Sequence, residues 1–161
     1  MKLLIYLILA IVVIFAYRSV RKARAVSKSQ EQMPTILHNS RCIMNEQNIR
    51  SNYPVPLHGR VDQVFQLQDG RLLLIDTKNR ARATAYPSDI TQLSVYATIL
   101  KANGYQVCPF ALLRFPRETD PVYISIELYP ETKIISLYHR YWEIKYGLLS
   151  PTCTCKKHRQ Y

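Results

Sequence analysis

Asp62, Asp76 and Lys78 are the residues whose types and spacing could do chemistry. Two carboxylates held side by side repel, so a folded protein usually keeps a cation between them. Hard oxygen ligands of this kind suit Mg2+ or Mn2+. A lysine beside the pair can position or help deprotonate an attacking water, while the metal stabilises charge on a phosphate under attack. The plainer alternative makes Asp62 and Asp76 charges at strand ends, with Lys78 as their ion-pair partner.

The elements around these residues decide between the two. Asp69-Gly70, flanked by alternating residues, predicts a β-hairpin. With Gln68, Asp69 and Gly70 as the loop and Gly70 left-handed, Leu67 faces Arg71 and Asp62 falls opposite Asp76. Directly opposed residues share a face about 5 Å apart. Lys78 projects to that face because the strand period is two. A loop of Asp69 and Gly70 alone would pair Asp62 with Thr77 and separate the carboxylates, so the chemistry depends on register.

A helix is predicted next, with Ser88 as N-cap after Pro87 and a stop at Asn103-Gly104. Ile90, Leu93, Ala97 and Leu100 give it a core face. Gln92 and Tyr96, one turn apart on a neighbouring face, are placed either to contact a phosphate or water or to serve as boundary residues. The loop between hairpin and helix carries Arg80 and Arg82, the residue type that a phosphate backbone requires. Residues 105–115 and 122–129 read as two more strands. Residues 131–146 read as a helix in which Leu137, Tyr141 and Ile144 have core spacing. Its aromatics, Tyr138, Tyr141, Trp142 and Tyr146, alternate with Arg140 and Lys145 and could also stack on single-stranded bases. Residues 36–49 fit either a helix or a first strand.

GRVDQVF, IDTK and QLSVY, in that order, resemble the GxxD, (D/E)xK and QxxxY succession of the PD-(D/E)XK nuclease superfamily. The resemblance is to the RecB-like branch that includes the CRISPR-associated adaptation exonucleases, and it spans residues 40–130. It implies a restriction-endonuclease-like α/β fold, a mixed central sheet flanked by helices. By the same resemblance Asp62 and Asp76 are metal ligands, Thr77 lends a backbone carbonyl, Lys78 is the catalytic lysine, and Gln92 and Tyr96 support it. An upstream acidic or histidine residue is also implied, for which Glu46, His38 and His58 are candidates. The resembled exonucleases carry an iron–sulfur cluster. Here Cys42, Cys153, Cys155 and His158 are the candidate cluster or zinc ligands, one tail cysteine short of the family's set.

The chain has 161 residues and a net charge of +11, which favours polyanionic partners. Residues 3–17 are an uninterrupted apolar run, with Arg18, Arg21, Lys22, Arg24 and Lys28 directly behind it. The run is short for a span, but tilt and snorkelling of Lys2 and Arg18 can make up the difference. The charge asymmetry predicts a single-pass membrane anchor with the domain on the cytoplasmic side, in preference to a cleaved signal peptide or a buried soluble helix. The expected organisation is an anchor at 1–18, a basic linker at 19–34 that meets anionic lipid headgroups, a nuclease-like domain at 35–150 and a basic tail at 151–161. Cys108 is expected simply to be buried, and a reducing cytoplasm argues against disulfides.

The whole reads as a membrane-anchored, metal-dependent deoxyribonuclease acting on DNA. The competing readings are a silent nuclease fold that binds nucleic acid or a protein partner, and a membrane adaptor unrelated to nucleases. Cell fractionation with protease protection should find the full chain in the membrane and shielded from outside protease. Recovery of a secreted, N-terminally shortened form would reject the anchor.

Overall fold

The turn after the second strand fixes the register on which the candidate site depends. In the computed structural model, which describes residues 34–150, Leu67 N–H donates to Arg71 O at 2.9 Å and Gly70 N–H to Leu67 O at 3.0 Å. Gly70 has φ +83°, a left-handed conformation that glycine adopts without a Cβ clash. The loop is therefore Gln68, Asp69 and Gly70. The pairs Gln66–Leu72 through Gln63–Ile75 extend from it, in the register that sets Asp62 against Asp76.

After a short 3-10 turn at Thr35–Leu37 come β1 (Arg41–Ser51), β2 (Leu57–Gln66) and β3 (Leu72–Thr77). Helix α1 (Pro87–Ala102) leads to β4 (Phe110–Phe115), β5 (Val122–Glu127) and α2 (Glu131–Lys145). The strands form one five-stranded mixed sheet in the order β1-β2-β3-β4-β5. Only the β3–β4 pair is parallel, and α1 supplies the crossover that a parallel pair needs. The segment that fitted either helix or strand is thus the 3-10 turn and then the long β1.

Central strand β3 is buried from Leu72 to Asp76, as an apolar run covered on both faces should be. One face packs Val64, Leu72, Leu74, Leu113 and Phe115 against Leu93, Tyr96, Ala97 and Leu100 of α1. The other gathers Phe65, Leu73, Ile75 and Leu112 with Leu37 and the buried Cys108.

Two helix expectations change. The N-cap of α1 is Tyr86, not Ser88, because Pro87 takes the first helical position and Asp89 accepts the Tyr86 N–H at 2.9 Å. In α2 only Ile134 is buried, while Leu137 and Ile144 are half-buried and Tyr141 is 58% exposed. Leu137 and Ile144 turn partly inward, Tyr141 does not, and only Ile134 in the first turn of the helix is fully covered. The anchor, the linker up to residue 33 and the tail at 151–161 lie outside the described residues. Among the described residues no helix is long and apolar enough to cross a membrane.

Sheet and helix meet closely at Gly59, where a Cβ would collide with the Tyr96 ring at Cε1. Gly59→Ala should therefore cost about 1–3 kcal/mol in a urea unfolding curve. Much of that loss should disappear in the background of Tyr96→Ala, because the two residues share one contact. Strictly additive losses would show that the contact is not what limits position 59.

Candidate active site

The β2–β3 ladder stops one pair before Asp62 and Asp76. Its last pair is Gln63–Ile75, and the next N–H that β3 turns toward β2, that of Thr77, donates instead to Asp62 Oδ2 at 2.9 Å. The Asp62 carboxylate thus takes the place of a strand partner and is fastened beside the end of β3. The contact Thr77 makes here is through its N–H.

Asp76 is 2% exposed. Its buried Oδ2 lies 2.7 Å from Lys78 Nζ, and this ion pair is the contact that satisfies it. Gln92, from α1, sits between the two: its Oε1 accepts from Lys78 Nζ at 2.9 Å, and its Nε2 is 3.4 Å from Asp76 Oδ1. The same Nε2 donates to Tyr96 Oη at 3.0 Å. Main-chain bonding continues past the end of β3, since Lys78 N–H donates to Arg114 O at 2.9 Å. Asp62, Thr77, Asp76, Lys78, Gln92 and Tyr96, named from three separate stretches of sequence, therefore form one connected set.

The pairs Asn45–Gln63 and Gln47–Val61 leave Glu46 across from Asp62 on β1. Glu46 interrupts the ladder with φ +48°, an uncommon conformation for a residue with a side chain, and its carboxylate holds exposed Arg60. His38 is exposed after the 3-10 turn, and His58 is exposed farther back on β2. Of the upstream candidates, Glu46 is the one that occupies the position beside Asp62.

A third carboxylate was not legible in the sequence. Asp89, 4% exposed, lies 3.5 Å from Lys78 Nζ through Oδ1 and 2.5 Å from Arg80 Nη2 through Oδ2. Arg80 also packs its guanidinium 4.3 Å from the Tyr86 ring centre. Arg117 donates to the carbonyls of Arg80 and Ala81, which ties this loop down. Arg80, expected as a phosphate contact, is turned onto Asp89, whereas Arg82 is exposed.

The donor set suits a hard divalent cation: a buried carboxylate oxygen whose partner is a movable lysine, a second carboxylate beside it and the peptide chain at the strand end. Among the described residues no group of three or more His, Cys, Asp or Glu is placed to hold a metal. Further ligands would then be carbonyl, water or phosphate oxygens. Cys42 is free and exposed, with Sγ donating to Met44 O at 3.3 Å. Cys153, Cys155 and His158 lie outside the described residues.

Burial pushes the Asp76 carboxyl above its ordinary value; Lys78 opposes the shift, and the charges of Asp62 and Asp89 add to it. Burial pulls Lys78 down, but Asp76 and Asp89 outweigh it and raise its affinity for the proton. Burial likewise works to raise Asp89, yet Arg80, the Tyr86 N–H and Lys78 bring it below its ordinary value.

No family model and no curated protein matches this chain. Among solved structures it is similar to one titled "Crystal structure of SSO0001", with 18% identity and a TM-score of 0.43, covering 87% of this chain and 79% of that one. A likeness of that degree carries no argument about activity.

A raised carboxyl pKa favours the folded state below it, so Asp76 costs stability as pH climbs from the ordinary carboxylate value through the raised one. Asp89 has the opposite sign, its contribution being lost as pH falls through its lowered value. Lys78 keeps its contribution until pH rises through its own raised value. In EDTA, thermal melts across the mildly acidic range should show a decline with rising pH that Asp76→Asn removes. Adding Mg2+ or Mn2+ should raise the melting temperature of the parent and not of Asp76→Asn. An equal metal response in both would place the cation elsewhere.

Proposed function

We propose that this chain is a divalent-metal-dependent deoxyribonuclease of the PD-(D/E)XK type, held at a membrane by its N-terminal apolar run. The sheet and α1 would then be the restriction-endonuclease-like core. The observation that carries the reading is the connected set itself. Asp62 and Asp76 stand at the parting of β2 and β3, with the buried Asp76 carboxylate paired to the Lys78 ammonium and Gln92 and Tyr96 closed around that pair.

Asp62 and Asp76 would hold the divalent cation, which would supply charge stabilisation for the phosphate under attack. Hydrolysis joins a water oxygen to phosphorus and breaks the bond to the leaving sugar oxygen, which takes up a proton. Lys78 is held as an ammonium by Asp76 and Asp89, so its part is to donate hydrogen bonds, orienting the water and stabilising charge that develops on the phosphate. Gln92 sets the direction of that ammonium through Oε1, and Tyr96 holds the amide of Gln92. Exposed Arg82 and the net charge of +11 favour the DNA backbone without reading its sequence.

One observation supports a second reading, a catalytically silent member of the fold that binds nucleic acid or a protein partner. Lys78 lies against Asp76 at 2.7 Å and Asp62 is engaged by Thr77, so the site is internally paired without a cation.

Cleavage of single- and double-stranded DNA by the full chain, in Mg2+, Mn2+ or EDTA, separates the two. Asp62→Ala and Asp76→Ala should abolish metal-dependent cleavage, and Lys78→Ala should slow it by about 10²–10³-fold, the scale of a lost charge-stabilising donor. Gln92→Ala and Tyr96→Phe should lose less. Undiminished cleavage in Asp76→Ala would overturn the assignment. Salt-sensitive DNA binding with no cleavage by the parent would leave the silent module, with affinity falling about 0.7–0.9 log units per tenfold salt for each phosphate neutralised.

A further inference from the structure

The C-terminal half of α2 presents a surface that the proposed nuclease site does not use. Trp142 stacks on Tyr146 with ring centres 5.4 Å apart, and Tyr138 and Tyr141 meet it edge-on. Lys145 Nζ lies 4.4 Å from the centre of the Trp142 ring. The chain then turns back on the helix, with Leu148 N–H donating to Glu143 O at 2.8 Å and Leu149 N–H to the same carbonyl at 3.2 Å. On this ordered turn Leu148 is 77% exposed and Leu149 42%, beside Tyr146 at 70% and Tyr141 at 58%.

We propose that this face docks on an anionic lipid surface. The exposed tyrosines, with an apolar body and a polar tip, favour the boundary between headgroups and acyl chains, and a lysine beside them can keep its charge in the headgroups. Leu148 and Leu149 add apolar area at the tip. Stacked nucleic-acid bases would have no use for those leucines, and the Trp142 ring is already engaged by Tyr146 and Lys145. Charge fits as well: Lys156, Lys157 and Arg159 come after Lys145 in the sequence, and anionic headgroups would attract them. Residues 19–34 are enough chain, at most about 3.3–3.6 Å per residue, for the domain to reach a bilayer that would hold the apolar run at 3–17. The proposal rests on the membrane-attached half of the proposed function and is independent of its nuclease half.

Trp142 is the one tryptophan of the chain, so its fluorescence reports on this face alone. The full chain would be reconstituted into vesicles containing phosphatidylserine and lipids with brominated acyl chains, floated on a gradient, and its tryptophan emission read with and without the bromines. The expected result is co-flotation with quenched Trp142 emission, and loss of the quenching in the double variant Leu148→Ser, Leu149→Ser, which still floats and melts like the parent. Flotation without quenching, or quenching that persists in the double variant, would overturn the docking face and leave the anchor standing. Failure to float would overturn both. Emission that changes with a single-stranded DNA oligonucleotide, and not with brominated lipid, would reassign the face to nucleic acid and overturn the proposal.

Discussion

Where β2 and β3 part, a peptide N–H is left that no strand answers, and a buried amide without an acceptor is costly. Asp62 answers it. Its Oδ2 accepts the Thr77 N–H, and by doing so the side chain ends the ladder and stands beside Asp76. The rest of the site depends on that substitution. Had the backbone ladder run on, Thr77 would have been matched by main chain and Asp62 would have had no fixed place at the strand end.

Charge then sets the arrangement around it. Asp76, Lys78, Asp89 and Arg80 alternate in sign from the end of β3 to the start of α1, each within reach of the next. Such a line is tolerated in a poorly solvated place because every charge has an opposite neighbour; removal of one member strands the others. The line is not neutralised evenly. Asp89 has Arg80, Lys78 and the Tyr86 N–H and is held as a carboxylate, whereas Asp76 is left the least satisfied. The unmet demand falls on the residue that the metal reading needs, while the loop arginine Arg80 satisfies Asp89 at the other end, at the helix N-terminus.

The sequence carried the parts of this arrangement that local rules determine. Asp69-Gly70 marked the hairpin but left two loops and two registers open, between which the structure chooses, and helical spacing put Gln92 and Tyr96 together. What depends on contacts between distant segments was not legible. Glu46 comes to Asp62 through the pairing of β1 with β2, and nothing in its neighbourhood announces a left-handed backbone. Asp89 sat behind Ser88, a better-looking cap, and its partner Arg80 reaches it across a loop without periodicity. For α2, apolar spacing groups Tyr141 with Leu137 and Ile144, but which of them is covered is decided by the neighbours of the helix.

The bond from Lys78 N–H to Arg114 O continues main-chain pairing one residue past β3. The lysine is thus fixed at its backbone and free only along its four-carbon stem, with Asp76, Asp89 and Gln92 all within reach of the tip. A change of partner needs no loop to open and no strand to slide. It is a rotamer change within the side chain alone, which leaves the backbone pairing at the end of β3 in place.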